Sequence, residues 1–211
     1  MNDVNHPAAG ARVGLQDSVK ARAESRAVGF RVGGAEKSPA EYTLAPISAE
    51  ALRPDNAVYF GGEETVLRAA PAFAFRLAHA IERPAPSIAD IVAAIDFVLP
   101  AATIDDGAQA SVLLGSEPRS LSAANLRLCG TCMEKNGEPV AFGAGASAGG
   151  NPLGVVSWAA GELWDRDCPL KSGDLIVVGG LSDPVDARPD DWIRISINRL
   201  GSITFRMERA R

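Results

Sequence analysis

The sequence predicts a single α+β domain in which a mainly antiparallel, rolled β-sheet carries a few packed helices. Short apolar runs alternate with polar residues and end at turn signals, as in Ile193, Ile195 and Ile197 before Gly201. Two other segments instead carry helix-capping signals. With 211 residues, 46% hydrophobic and 22% charged, the chain is long and apolar enough for one core.

The first half of the chain begins with residues 1–13, which we expect to form a flexible tail. A short helix is predicted over Gln16 to Arg26, followed by a strand from Ala27 to Gly33. Residues 34–62 are rich in Pro, Gly and Ala, which favours irregular connections. A long strand is predicted over Thr65 to Ile81, where apolar residues alternate.

Two helices are predicted from their N-terminal signals. Ser87, with Asp90 three residues later, forms a capping box. Apolar residues then recur on one helical face as far as Leu99, where Pro100 stops the pattern. The second helix begins at Asn151, an N-cap followed by proline at the first helical position.

The remaining segments are predicted strands joined by turns. Asn136-Gly137 is a typical hairpin turn, and Asn198 to Gly201 turns the chain into its last strand. The strands are expected at residues 126–133, 139–148, 175–178, 193–197 and 202–207.

Charge and hydropathy exclude several classes of function. The 21 basic residues are scattered and outnumbered by 26 acidic ones, giving a net charge of −5, which does not favour nucleic-acid binding. No run of apolar residues approaches 18, and the first residues lack a signal-peptide core. We therefore expect a cytoplasmic protein with no membrane role.

Three cysteines and two histidines make a disulfide framework or a cysteine and histidine metal site improbable. Cys129 and Cys132 have the spacing of a redox or zinc pair. In the predicted strand, however, they would point to opposite faces, because side chains alternate. Buried structural cysteines are the favoured interpretation, and Cys168 has no evident partner.

Four segments stand out by their order and spacing: Ser87 to Asp96, Asn136 to Ala146, Asn151 to Trp158, and Leu170 to Ser182. They resemble the 2-keto-4-pentenoate hydratase branch of the fumarylacetoacetate hydrolase superfamily, which includes the 4-oxalocrotonate decarboxylases. The resemblance extends from about Gln16 to Met207 and is strongest in these four segments. It implies a fumarylacetoacetate-hydrolase-type domain over residues 14–211.

The resemblance implies enzymes that add water to, or decarboxylate, dienol and 2-oxo acids of aromatic catabolism. Such enzymes hold a divalent cation with a Glu-x-Glu pair and a third glutamate. This chain has Ala70, Ala72 and Thr103 at those positions, and it lacks a segment beyond the third. An N-terminal helical portion of the family is also missing. Because alanine cannot ligate a metal, we expect the site to be lost and no cofactor to be required.

Other carboxylates could rebuild an acidic site for Mg²⁺ or Mn²⁺. Glu63-Glu64 and Asp105-Asp106 flank the altered positions, although both pairs also suit solvent-facing turns. His79 is the remaining candidate, since histidine suits acid–base chemistry near neutral pH. The weak catalytic candidates are therefore His79, Asp105 and Asp106.

Two residues are candidates for ligand binding without a metal. Arg31 takes the place of a lysine that is usual in the related strand, and a guanidinium can pair with a substrate carboxylate. Ser182 stands where related proteins often have threonine and could hydrogen-bond a ligand oxygen. The alternative interpretations are that Arg31 is an ordinary cation at the edge of a strand and that Ser182 is a serine in a turn.

Three functions remain open from the sequence. The first is a divergent, non-catalytic homologue that binds a small carboxylate or 2-oxo acid, or serves as a partner subunit. The second is an active hydratase, decarboxylase or C–C hydrolase with rebuilt catalytic residues. The third is a purely structural protein. A homo-oligomer, or a hetero-complex with a related enzyme, is expected.

Overall fold

The computed structural model describes residues 27–210, so the tail and the helix predicted before Ala27 lie outside the described residues. Over this range the chain forms strands, two α-helices and short 3-10 helices. The strands are β1 (Ala27–Gly33), β2 (Thr43–Ser48), β3 (Leu52–Pro54), β4 (Ala57–Gly61), β5 (Leu67–Leu77), β6 (Ile95–Asp105), β7 (Ala110–Leu114), β8 (Gly130–Lys135), β9 (Glu138–Ala144), β10 (Leu175–Val178), β11 (Val185–Ala187), β12 (Trp192–Ile197) and β13 (Gly201–Arg209). The helices are α1 (Ile88–Ala94) and α2 (Pro152–Trp164), and the 3-10 turns are Pro39–Glu41, Ala49–Ala51, Leu121–Ala123, Leu126–Leu128 and Gly145–Ser147.

The described strands form two sheets. The first has eight strands in the order β2-β1-β10-β5-β6-β7-β3, with β11 pairing with β5. The second has five strands in the order β4-β13-β12-β8-β9. Only β1–β10, β4–β13 and β3–β7 are parallel among the strand pairs of residues 27–210. The prediction of a mainly antiparallel α+β fold is confirmed.

The eight-stranded sheet is rolled. The short segment that joins its two edge strands, β2 and β3, shows that it cannot be flat. If the seven strands of the main path lay flat, six spacings of about 4.8 Å would place β2 and β3 roughly 29 Å apart. Yet β2 ends at Ser48 and β3 begins at Leu52. Four residue steps span at most about 14 Å, so the sheet must curl until its edges approach each other.

Rolling gives the sheet an inner and an outer face. The outer face carries large side chains such as Phe30, Phe73 and Phe75, which belong to the main core with residues of α2 and the five-stranded sheet. The inner face is filled mostly by small and β-branched side chains, as a narrow roll requires. Its buried members are Ile47, Ala72, Ala74, Leu99, Ala101, Val112, Leu175 and Val177.

The predicted helix beyond Ser87 is wrong in its second half. Helix α1 ends at Ala94, and Ile95–Asp105 forms β6, which pairs along its length with β5. Val98 and Leu99 are both buried although they point to opposite faces. A central strand covered on both faces has a continuous apolar run, which periodicity alone does not distinguish from a helix.

Two other strand predictions also need correction. Residues 34–62 are not irregular, because they contain β2, β3 and β4, whose partners lie elsewhere in the chain. The strand predicted over residues 126–133 begins only at Gly130, after the 3-10 turn Leu126–Leu128. In contrast, the hairpin turn is confirmed, with Asn136 and Gly137 at φ 54° and 88°.

The start of α1 has the predicted capping box. The Asp90 amide donates to Ser87 Oγ at 3.2 Å, and the Ser87 amide donates to Asp90 Oδ2 at 2.8 Å. Arg83 Nη1 also donates to Asp90 Oδ1 at 2.7 Å. The Arg83 guanidinium and the Ser87 donors lower the pKa of Asp90 to about 2.

We expect Asp90→Asn to destabilise the protein in a pH-dependent way. Since the folded-state pKa is depressed, the stabilisation by Asp90 is present above the unfolded-state pKa of about 3.9 and is lost as the pH falls toward 2. The free energy of unfolding, measured with urea, should therefore be lower for the variant than for wild type at pH 7, and the two should be nearly equal near pH 2. Asp96→Asn, at an exposed carboxylate, is the control. A pH-independent difference would contradict the assignment.

Candidate functional site

The three positions at which the resemblance implies metal-binding glutamates in related enzymes lie together on one sheet face. Ala70 of β5 is directly opposite Thr103 of β6, and Ala72 is opposite Ala101. Ala72 and Ala101 belong to the inner core. Because side chains alternate along strands, Ala70 and Thr103 share that inner face. The structure therefore brings these positions together, as the resemblance implies.

The spacing of these positions suits three converging ligands. Directly opposed residues have Cβ atoms about 4.5–5.5 Å apart, and residues two apart on a strand are separated by about 6.8 Å. Glutamates at Ala70, Ala72 and Thr103 could thus reach one cation, but two methyl groups and a hydroxyl offer no anionic ligand. The residues present do not fit a divalent cation here. Over residues 27–210 no cluster of three or more His, Cys, Asp or Glu has metal-binding geometry.

Arg31 lies on the same inner face. Its neighbours Phe30 and Val32 point into the main core, so Arg31 points the other way. Arg31 pairs with Val177 of β10, which in turn pairs with Ala74 of β5. The Arg31 backbone is thus two strand spacings, or about 10 Å, from β5. The side chain is partly buried, and no group within the described range forms a hydrogen bond or ion pair with it.

Asp105 and Asp106 lie where β6 turns into β7. Asp105 Oδ1 accepts from the Gly107 amide at 2.8 Å, and Asp106 Oδ1 accepts from the Ala108 and Gln109 amides at 2.9 and 2.7 Å. Those backbone donors lower the pKa of Asp106. Both carboxylates therefore stabilise the β6–β7 hairpin. This agrees with the turn that was the alternative to an acidic metal site.

Glu63-Glu64 lie in an exposed turn before β5. They form no cluster with the carboxylates of the β6–β7 turn in the described part of the chain.

His79 lies at the other end of the sheet. It lies two residues beyond the end of β5 and is exposed, and its amide donates to the Ala94 carbonyl at 3.2 Å. Along β5, Ala70 and Leu77 are seven residue steps apart, or about 24 Å. His79 instead lines a cavity of about 250 Å³ with Arg83 and Asp90. The structure does not bring His79 together with Asp105 and Asp106.

Ser182 lies against the five-stranded sheet. Its hydroxyl donates to the Asp183 carbonyl at 3.1 Å and is 3.8 Å from the Met133 sulfur. A Cβ added at Gly143 would lie 2.7 Å from the Ser182 Cβ, so Ser182 packs closely on β9. Arg31 points instead to the inner face of the roll. The ligand-binding role of both residues stays a prediction.

None of the three cysteines, all of which lie in the described range, belongs to a disulfide bond. Cys129 is buried before β8 and donates to the Asn125 carbonyl at 3.5 Å, whereas Cys132 is partly buried within β8. Burial raises the pKa of the Cys129 thiol, which makes it less reactive. This environment is typical of a structural cysteine.

A second polar feature, a hydrogen bond between two hydroxyl groups, was not predicted from the sequence. Tyr59 of β4 and Ser111 of β7 share a hydrogen bond of 2.9 Å beside Arg53, at the edge of a cavity. No local motif marks these residues, because Tyr59 and Ser111 are 52 positions apart. Only the packing of the two sheets brings them together.

Comparisons with known proteins identify relatives of the chain. No protein-family model matches. A 2-keto-4-pentenoate hydratase of Paraburkholderia xenovorans is 33% identical over 151 residues, covering 64% of this chain and 56% of that protein. A 4-oxalocrotonate decarboxylase of Pseudomonas putida is 31% identical over 140 residues, covering 58% and 53%. The chain is similar in sequence to these hydratases and decarboxylases over somewhat more than half of its length.

The structural comparison agrees with this assignment. The crystal structure of the 4-oxalocrotonate decarboxylase from Pseudomonas putida G7, complexed with calcium and acetate, has a TM-score of 0.79 and 25% identity, covering 92% of this chain and 83% of that one. The fumarylacetoacetate-hydrolase-type fold predicted for this chain is therefore confirmed. The chain spans about half the length of the two curated relatives. No helix of residues 27–210 has both the length and the apolar character needed to cross a bilayer.

Proposed function

We propose that this hydratase homologue has lost the divalent-metal site and binds a small carboxylate or 2-oxo acid through Arg31, without adding water to it or decarboxylating it. One observation carries the proposal. The positions of Ala70, Ala72 and Thr103 adjoin on the inner face, yet none supplies a carboxylate. Without such ligands a hard cation cannot be held to stabilise a developing enolate.

Arg31 supplies what a metal-free carboxylate site requires. A guanidinium presents a planar set of N–H donors that matches a carboxylate in a bidentate pair. The partly buried position strengthens such a pair relative to one at the open surface. The related decarboxylase from Pseudomonas putida G7 has acetate, a small carboxylate, in its complex.

The other hypotheses have weaker support. An active enzyme with rebuilt residues would need His79 near Asp105 and Asp106, but β5 separates them by much of its length. A role as a partner subunit is compatible with the proposal, since a carboxylate-binding subunit could regulate or complete a related enzyme. Oligomeric state and cellular location stay predictions.

Arg31→Ala is expected to weaken carboxylate binding by about 1.5–3 kcal/mol, the range for hydrogen bonds to charged groups. This corresponds to roughly 10- to 150-fold in Kd. Calorimetric titration with pyruvate, 2-oxobutyrate and 2-oxopent-4-enoate measures it. Arg31→Lys should retain part of the affinity, because the charge remains while the bidentate geometry is lost.

Arg209→Ala is the matched control, since Arg209 is an exposed arginine of β13 in the five-stranded sheet, where it pairs with Asp190. It should bind the same acids as wild type does. Equal affinity of Arg31→Ala and wild type for every acid would show that Arg31 is not the anchor.

A further inference from the structure

A cavity of about 190 Å³, here called the rim pocket, lies between the β2–β3 connection, β4 and the β6–β7 hairpin. Its floor includes the buried side chains of Leu67 and Ile104. The pocket is smaller than the 300–1,000 Å³ typical of drug-sized ligands, and holds about six times the volume of a water molecule. It therefore suits a small molecule with a short apolar part.

Hydroxyl groups form one wall of the rim pocket. The Tyr59 hydroxyl and Ser111 Oγ are 2.9 Å apart and share one hydrogen bond, so one O–H of the pair remains for a ligand. Burial raises the pKa of Tyr59, which keeps the phenol neutral and able to donate. The Tyr59 ring is itself fixed by an edge contact with Phe205 at 5.5 Å.

Charges of both signs border the rim pocket. Arg53 Nη1 donates to the Glu50 and Leu52 carbonyls, which orients the guanidinium and leaves its other N–H groups for a ligand. Asp106, an acidic residue of the β6–β7 hairpin, also lines the pocket. A simple anion would be attracted by Arg53 and repelled by Asp106, whereas a ligand carrying both signs can satisfy each end.

We infer that the rim pocket binds a small α-amino acid, with its carboxylate at Arg53 and Tyr59, its ammonium toward Asp106, and a short apolar side chain over Leu67 and Ile104. This site is separate from the proposed Arg31 site. Ile104 and Ser111 face outward, whereas their neighbours Thr103 and Val112 face the inside of the roll. The inference does not depend on the proposed function.

Three probes that share one apolar body test the charge requirement. L-Valine carries both charges, isobutyrate only the anion, and isobutylamine only the cation. Calorimetric or NMR titration of the full chain carrying Arg31→Ala, which removes the proposed inner-face carboxylate anchor, should show L-valine binding at least about tenfold more tightly than either single-charge probe. Tenfold is a lower bound for one lost charge-assisted hydrogen bond.

The variants locate the binding. Arg53→Gln and Tyr59→Phe should each weaken L-valine binding, by about tenfold or more for Arg53→Gln. Arg206→Gln, at an exposed arginine paired with Glu208, is the matched control and should bind normally. Arg31→Ala should also leave L-valine binding unchanged, which distinguishes this site from the Arg31 site.

The inference is overturned if L-valine shows no saturable binding up to about 50 mM, well above the 1 mM Kd that corresponds to −4.1 kcal/mol. It is also overturned if isobutyrate and L-valine bind the Arg31→Ala chain equally, or if Arg53→Gln binds L-valine as wild type does. Loss of L-valine binding in Arg31→Ala would assign it to the inner face and would likewise refute the rim pocket.

Discussion

Simultaneous replacement of Ala70, Ala72 and Thr103 by glutamate should create a divalent-cation site in this chain. The three side chains would converge from adjoining positions of β5 and β6. We expect Mn²⁺ affinity to rise by at least about 100-fold over wild type, or about 2.7 kcal/mol, because three anionic oxygen ligands replace none. Electron paramagnetic resonance of free Mn²⁺, with calorimetry for Mg²⁺, measures the change.

The same variant should become metal-dependent in stability. Ala72 is fully buried on the inner face, so a glutamate there is costly unless a cation neutralises it. The Tm of the triple variant should therefore fall without metal and rise when Mn²⁺ is added, since a ligand that binds only the folded state stabilises it. Wild type should show no such rise.

A control with the same added charge separates site formation from general electrostatics. Ala93→Glu, Ser116→Glu and Ala123→Glu place three carboxylates at dispersed exposed positions. That variant should bind Mn²⁺ no better than wild type at moderate ionic strength. If the Ala70, Ala72 and Thr103 variant folds but binds no better than this control, the three positions do not form the ligand set. Strong Mn²⁺ binding by wild type would refute the loss of the metal site.

Gly145→Ala should destabilise the protein severely, by at least about 3 kcal/mol. An added Cβ would lie 1.7 Å from the Leu126 carbonyl oxygen and 3.2 Å from a ring carbon of Phe73. The Gly145 amide also donates to the Cys129 carbonyl at 2.9 Å. Because the clash is with backbone, no side-chain rotation relieves it. Urea unfolding gives the free energy.

Gly130→Ala is the matched control for that substitution. A Cβ at Gly130 meets no atom within 4 Å, and its φ is not positive. It should therefore change the free energy of unfolding by less than about 1 kcal/mol, the scale of glycine-to-alanine effects in unstrained positions. Similar stabilities of the two variants would mean that the chain between β9 and α2 can move away from Leu126.

The predictions that succeeded rest on local signals. The capping box at Ser87, the proline start of α2 at Pro152 and the hairpin turn at Asn136 were each predictable, because they depend on residues within a few positions. The strand around Phe73 and Phe75 was also predictable from its apolar pattern, with its ends shortened to Leu67 and Leu77.

The predictions that failed depend on distant partners. Val98 to Ala102 are apolar without a clear period, and only pairing with β5 on one side and β7 on the other makes them a strand. The short strands between residues 43 and 61 are likewise stabilised by partners elsewhere in the chain. The position of His79 also depends on distant partners, because no residue near it in sequence indicates that it lies at the end of the sheet away from Asp105.

The sequence by itself determined which residue types occupy the altered positions and where the capped helices and tight turns begin. Only the tertiary structure decided that Ala70, Ala72, Thr103 and Arg31 share the inner face of one rolled sheet, and that Tyr59 meets Ser111 on the outer side. The reason is physical. Turns and caps are satisfied by hydrogen bonds within a few residues, whereas neighbours across a sheet are set by strand order, register and curvature, which involve the whole chain.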